Sequence, residues 1–150
     1  MKKAILQLLM VFIIAGSLTA CGTNKSNQED GSAKTVQEQM QEYHIKYVGD
    51  SSGVSKLLSF LPQFDKNYIQ KMFSLQSSTK PYGITIYYEP AKKTKVPSMK
   101  KTKEMTTYAN YLFESIDNLE YVEYAYRITP SNNKLELSKY KVLLKVEKAK

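Results

Sequence analysis

Two stretches constrain the fold more than anything else in the chain. In "YGITIYYE" (residues 82–89), Tyr82, Ile84, Ile86 and Tyr88 fall on one face, and in "YVEYAYRI" (121–128), Val122, Tyr124, Tyr126 and Ile128 do the same. A period of two is the signature of a strand with one buried face. Between them Met105, Tyr108, Ala109, Leu112, Ile116 and Leu119 recur at three- and four-residue spacing. That spacing predicts a helix from about Lys103 to Leu119 with one apolar stripe. The chain therefore carries both periodicities, and an α+β fold follows.

The remaining segments fill in the order. Residues 40–48, "MQEYHIKYV", place Tyr43, Ile45 and Tyr47 at alternate positions and predict a strand. Asp50 or Ser51 can cap a helix carrying Val54, Leu57, Leu58 and Leu61 on one stripe, which Pro62 ends. Residues 68–76 put Ile69, Phe73 and Leu75 on one face, and "TKPYG" (79–83) supplies a turn, so 68–89 reads as a hairpin. The tail at 134–150 is compatible with a strand or a helix; alternation of Tyr140, Val142, Leu144 and Val146 favours a strand. The expectation is β-α-β-β-α-β: an antiparallel sheet with two helices on one face, the ferredoxin-like or split βαβ order, and an extra C-terminal strand.

The N-terminus is of a different kind. Met1-Lys2-Lys3 is basic, residues 4–15 are apolar except for Gln7, and small residues follow. This is the layout of a secretory signal, and the apolar run is too short for a permanent span. It ends in Leu18-Thr19-Ala20-Cys21, which resembles the lipobox of bacterial lipoproteins. In such proteins the cysteine thiol takes a diacylglyceryl group and becomes the first residue after cleavage. Cys21 is the only cysteine, so the mature chain is expected to be free of disulfides and its thiol unavailable for redox or metal chemistry. Residues 1–20 are read as a lipoprotein signal peptide, 21–38 as a polar lipidated tether, and 39–150 as a single domain. The expected location is the extracytoplasmic side of the cell membrane, held by palmitate-type chains on Cys21.

Charge narrows the partners. The chain carries 22 basic and 14 acidic residues, a formal +8. Nearly all the basic charge is lysine, with Arg127 the lone arginine, which argues against a nucleic-acid reader. Lys92, Lys93, Lys95, Lys100, Lys101 and Lys103 crowd one loop and form a candidate contact for anionic headgroups or cell-wall polymers. Gly49 and Asp50, at the turn into the first helix, form a second candidate ligand site, with turn and cap roles as the plainer alternative. His44 is the only histidine and is read as a surface residue. Glu114 and Asp117 read as solubilising. No catalytic group, metal or cofactor is expected.

Three phrases, "YHIKYVGDSSGVSKLLSFLP", "FSLQSSTKPYGITIYYE" and "NYLFESIDNLEYVEYAY", resemble a small bacterial lipoprotein domain, domain-of-unknown-function family 4825. The resemblance covers about residues 40–128 and stops short of the tail after Pro130. That domain occurs alone behind a lipobox and also attached to membrane metallopeptidases of the beta-lactam-sensor type. The resemblance implies an α+β fold, an extracytoplasmic place and a sensing or ligand-binding accessory role; it implies no reaction. A non-catalytic binding module is thus expected. An envelope hydrolase and an immunity- or inhibitor-type protein that caps an envelope partner are the alternatives.

Overall fold

The structure, a computed structural model, describes residues 33–63, 65–97, 101–131 and 136–150. Residues Ala33–Lys150 form one unit.

Helix α1 (Val36–Glu42) takes the first three residues of the strand expected at 40–48. Its cause is local. Thr35 and Glu38 make a reciprocal capping box: the Thr35 hydroxyl accepts from Glu38 N at 3.3 Å, and the Glu38 carboxylate accepts from Thr35 N at 2.7 Å. Two otherwise unpaired helix donors are satisfied at once. The alternation of Tyr43, Ile45 and Tyr47 does not follow burial. Tyr43 and Tyr47 are exposed, while the buried positions are Met40, Ile45 and Val48. Of the expected strand only one bridge survives, Ile45 to Ile116. Because α1 begins at Val36, residues 33–38 of the stretch read as tether belong to the folded unit.

Helix α2 (Ser51–Phe60) follows expectation. Val54, Leu57 and Leu58 are buried, and Leu61 caps the end before Pro62. At its start Gly53 packs tightly: a Cβ there would lie 2.6 Å from Asp50 Oδ2 and 2.8 Å from Ile45 Cγ2.

Strands β1 (Tyr68–Gln76) and β2 (Gly83–Pro90) form the expected antiparallel hairpin. Helix α3 (Thr102–Ser115) then crosses over to β3 (Tyr121–Tyr126), which pairs with β2 in parallel. The tail forms strand β4 (Lys141–Glu147), antiparallel to β3, after a 3-10 turn at Leu137–Lys139. The sheet order is β1-β2-β3-β4. The class is therefore α+β with a mostly antiparallel sheet and a C-terminal strand. Among the described residues there are three α-helices rather than two. A sequential strand order with one parallel pair replaces the split βαβ arrangement.

One hydrophobic cluster joins the helices to one face of the sheet. Met40, Val54, Leu57, Met105, Ala109, Leu112, Ile84, Ile86 and Val122 have no exposed surface. Each fully buried aliphatic side chain of this size contributes about 1.5–3 kcal/mol. Tyr124 fixes α3 to the sheet by donating to Met105 O at 2.8 Å in a buried setting. Ser115 Oγ donates to Met40 O at 3.0 Å and ties α1 to α3.

Two bulges reset the strand alternation. The register slips between Gln70 and Met72, so Lys71 is extra and Ile69 turns away from Phe73 and Leu75. Ile69 is accordingly 52 % exposed. In β4, Tyr124 pairs with Leu144 but Ala125 pairs with Val142, so Leu143 is extra and Val142 leaves the face of Leu144 and Val146. Ile128 lies beyond the end of β3 and is exposed, not inward as expected.

Candidate functional site

Strand alternation sends Thr85, Tyr87 and Glu89 of β2, Glu123 and Ala125 of β3, and Arg127 just beyond it, to the face opposite the helices. The parallel register sets Thr85 beside Glu123 and Tyr87 beside Ala125. Arg127 N donates to Tyr88 O at 3.2 Å, which extends the ladder by one residue and brings Arg127 alongside Glu89.

Both charged residues are buried: Glu89 is 3 % exposed and Arg127 8 %. Glu89 is well satisfied. Its Oε1 accepts from the Tyr140 hydroxyl, and its Oε2 accepts from Ser131 N at 3.1 Å. Burial works to raise the Glu89 pKa. The hydrogen bonds from Tyr140 and Ser131, with the charge of Arg127, outweigh it and hold the carboxyl below its ordinary value. Burial and the bond to Glu89 push the Tyr140 hydroxyl up. Arg127 is the less satisfied partner. Its guanidinium lies 5.6 Å from the Tyr140 ring centroid, and among the described residues its buried Nε and Nη1 find no hydrogen-bond acceptor. Those atoms carry three N–H bonds, and a buried unanswered donor is costly.

Around Arg127 the end of the sheet is cationic. A cavity of about 90 Å³ is lined by Val96, Tyr126, Arg127, Ile128, Lys139 and Lys141. The loop after β2 is pinned there: Thr94 N donates to Ile128 O at 3.0 Å, and Tyr68 Oη donates to Lys95 O at 2.9 Å. Lys93 and Lys95 line a neighbouring open depression with Asp65. Lys93 and Lys95 of the loop, Lys139 just before β4 and Lys141 at its start thus lie around Val96, which lines both hollows.

The residues singled out in the sequence distribute as follows. Lys92, Lys93, Lys95 and Lys103 are exposed; Lys101 pairs with Glu104 at 3.0 Å. Lys100 lies outside the described residues, as do Leu18, Thr19, Ala20 and Cys21. Asp50 caps α2, accepting from Gly53 N at 2.9 Å. Gly49 is exposed, and an added Cβ would make ordinary contact with Ser77 at 3.4 Å. His44 pairs with Asp117 at 2.8 Å on the surface. Among the described residues no group of three His, Cys, Asp or Glu side chains converges as a metal site would require.

Glu89, Tyr140 and Arg127 escaped the sequence reading. Glu89 and Arg127 lie on the face opposite the residues read as inward, yet both are buried. Their burial depends on the parallel pairing and on Tyr140, which directly precedes β4. The usable signal was a lone arginine directly after a strand.

The family model described as Domain of unknown function (DUF4825) matches residues 40–142. The match reaches past Pro130 and takes in Tyr140 and the start of β4. Comparisons with curated proteins and with solved structures give no match. The chain belongs to the DUF4825 family.

Proposed function

We propose that this member of the family is a lipid-anchored, extracytoplasmic binding or sensing module of the bacterial envelope. The observation that carries the binding assignment is the uncovered face of the sheet. It presents exposed Ile69 and Val142 beside buried Glu89 and Arg127 and half-buried Tyr140, and among the described residues two nitrogens of the Arg127 guanidinium have no acceptor. A flat face with aromatic and cationic groups and two open strand edges suits contact with a peptide or protein. Its placement in the envelope is supported by Leu18-Thr19-Ala20-Cys21 behind a basic start and a short apolar run.

Two measurements on one strain test the reading. A clickable palmitate analogue labels the mature protein in the membrane fraction, and Cys21→Ser removes the label. A photoreactive residue at Val142 yields a defined adduct with an envelope component, while the same residue at exposed Tyr47 does not. Mature protein found in the medium with an unmodified Cys21, or equal adducts from both positions, overturns the proposal.

A further inference from the structure

The cationic end of the sheet is also greasy. Val96 is 58 % exposed, Leu137 50 % and Ile128 41 %. Val96 and Ile128 line the same cavity as Lys139 and Lys141, and Leu137 stands in the 3-10 turn that ends at Lys139. Val96 also adjoins Lys93 and Lys95. Exposed apolar side chains interleaved with lysines are what an interfacial membrane contact requires: the apolar groups enter the headgroup boundary and the ammonium groups meet lipid phosphates. A soluble polyanion would answer the lysines but leave the apolar residues in water.

We infer that this end docks on an anionic lipid surface. The inference rests on the anchored reading above and deepens it by naming what the cationic end touches. Three further facts agree with it. Lys93, Lys95, Lys139, Lys141 and Arg127 outnumber the acids near them, Asp65, Glu89 and Glu136, so the end complements negative headgroups. Arg127 lines the same cavity and adds its positive charge beside Lys139 and Lys141. Only 11 residues lie between Cys21 and Ala33, a path that spans at most about 40 Å. A folded unit of this size is roughly 35 Å across. An acylated Cys21 therefore keeps every side of the unit within reach of the bilayer and makes docking an intramolecular event. With the cationic end on the lipid, the uncovered sheet face stays accessible to a partner.

The chain has no tryptophan, so one introduced indole reports without background. Mature lipidated protein carrying Val96→Trp is placed in vesicles of phosphatidylcholine alone and in vesicles where a third of the lipid is phosphatidylglycerol. The indole emission of this variant moves to the blue only with the anionic lipid. It reverts in 1 M salt, where the Debye length falls to about 3 Å, and it is lost in the Lys139→Glu/Lys141→Glu background. Tyr47→Trp shows no shift in either vesicle. Absence of the shift in Val96→Trp, an equal shift in Tyr47→Trp, or displacement of the protein's end from anionic vesicles by soluble polyphosphate overturns the inference. Sedimentation with the neutral vesicles separates this failure from failure of the anchor, which would leave the protein in the supernatant.

Discussion

The two faces of the sheet are built by different means. The covered face is apolar and repetitive: Ile84, Ile86, Val122 and Tyr124 pack against three helices with almost no exposed surface. The opposite face is held by particular pairings. Glu89 meets Tyr140, Ser74 Oγ lies 3.2 Å from Tyr87 Oη, and Lys145 sits 4.7 Å from the Tyr121 ring. The first face tolerates any residue of the right size and hydrophobicity, and its strength grows with area. The second depends on register, so a single displaced residue undoes it. A face of the first kind makes stability; one of the second kind can also make specificity.

The largest expected effect lies on the covered face. Ile86→Ala removes a fully buried side chain between strands and helices and should cost about 4 kcal/mol. Urea unfolding measures it. A loss under about 1.5 kcal/mol would mean that the core collapses around the gap, and the contrast between the faces would weaken.

Next comes Glu89→Gln. The amide keeps the shape but removes the charge facing Arg127, and a buried arginine without its compensating carboxylate should cost roughly 3 kcal/mol at neutral pH. The sign of its pH dependence follows from the direction of the shift. Glu89 titrates lower in the folded chain than its ordinary value of 4.5. Its charge therefore stabilises fully above that value and less as pH falls through the folded pKa. The gap between wild type and Glu89→Gln stays constant from neutral down to about 4.5 and narrows below it. A gap that widens in acid would show that the carboxyl is neutral when folded.

Gly83→Ala probes register directly. Gly83 pairs with Tyr121, whose ring lies over it where a Cβ would sit. Here glycine serves a strand rather than the turn that the sequence suggested, and the ring covers the gap it leaves. The alanine must push the ring aside, a cost of roughly 2 kcal/mol. In the Gly83→Ala/Tyr121→Ser double variant most of the penalty of the glycine change should vanish. Additive losses would place the strain elsewhere.

This contrast also explains what could be read in advance. Met105, Ala109 and Leu112 were legible because helical spacing and burial coincide; Ile116 and Leu119 are equally buried but lie beyond α3, which ends at Ser115 and not at Leu119 as expected. Ile84 and Val122 were legible for the same reason at a period of two. The open face was not, since Glu89 and Arg127 become neighbours only through parallel pairing of β2 and β3. The first helix was hidden for a different reason. Aromatic alternation at Tyr43, Ile45 and Tyr47 mimics a strand, although Thr35 and Glu38 already spell a capping box. The lipobox-like stretch that ends at Cys21, the sharpest functional signal in the sequence, lies outside the described residues.

The smallest effect is expected at Val142, and its smallness is informative. Plain alternation from Val146 and Leu144 would bury it, yet the extra residue Leu143 turns it outward to 57 % exposure. Val142→Thr should therefore change stability by less than about 0.5 kcal/mol. Leu144→Ala, two residues away and packed on the core, should cost about 2 kcal/mol. If Val142→Thr instead costs as much as Leu144→Ala, then Leu143 is not extra. Val142 would then belong to the covered face, and the uncovered one would lose an apolar group offered to a partner. Adduct formation from position 142 would have to fall with it, which ties a stability measurement to the proposed contact surface.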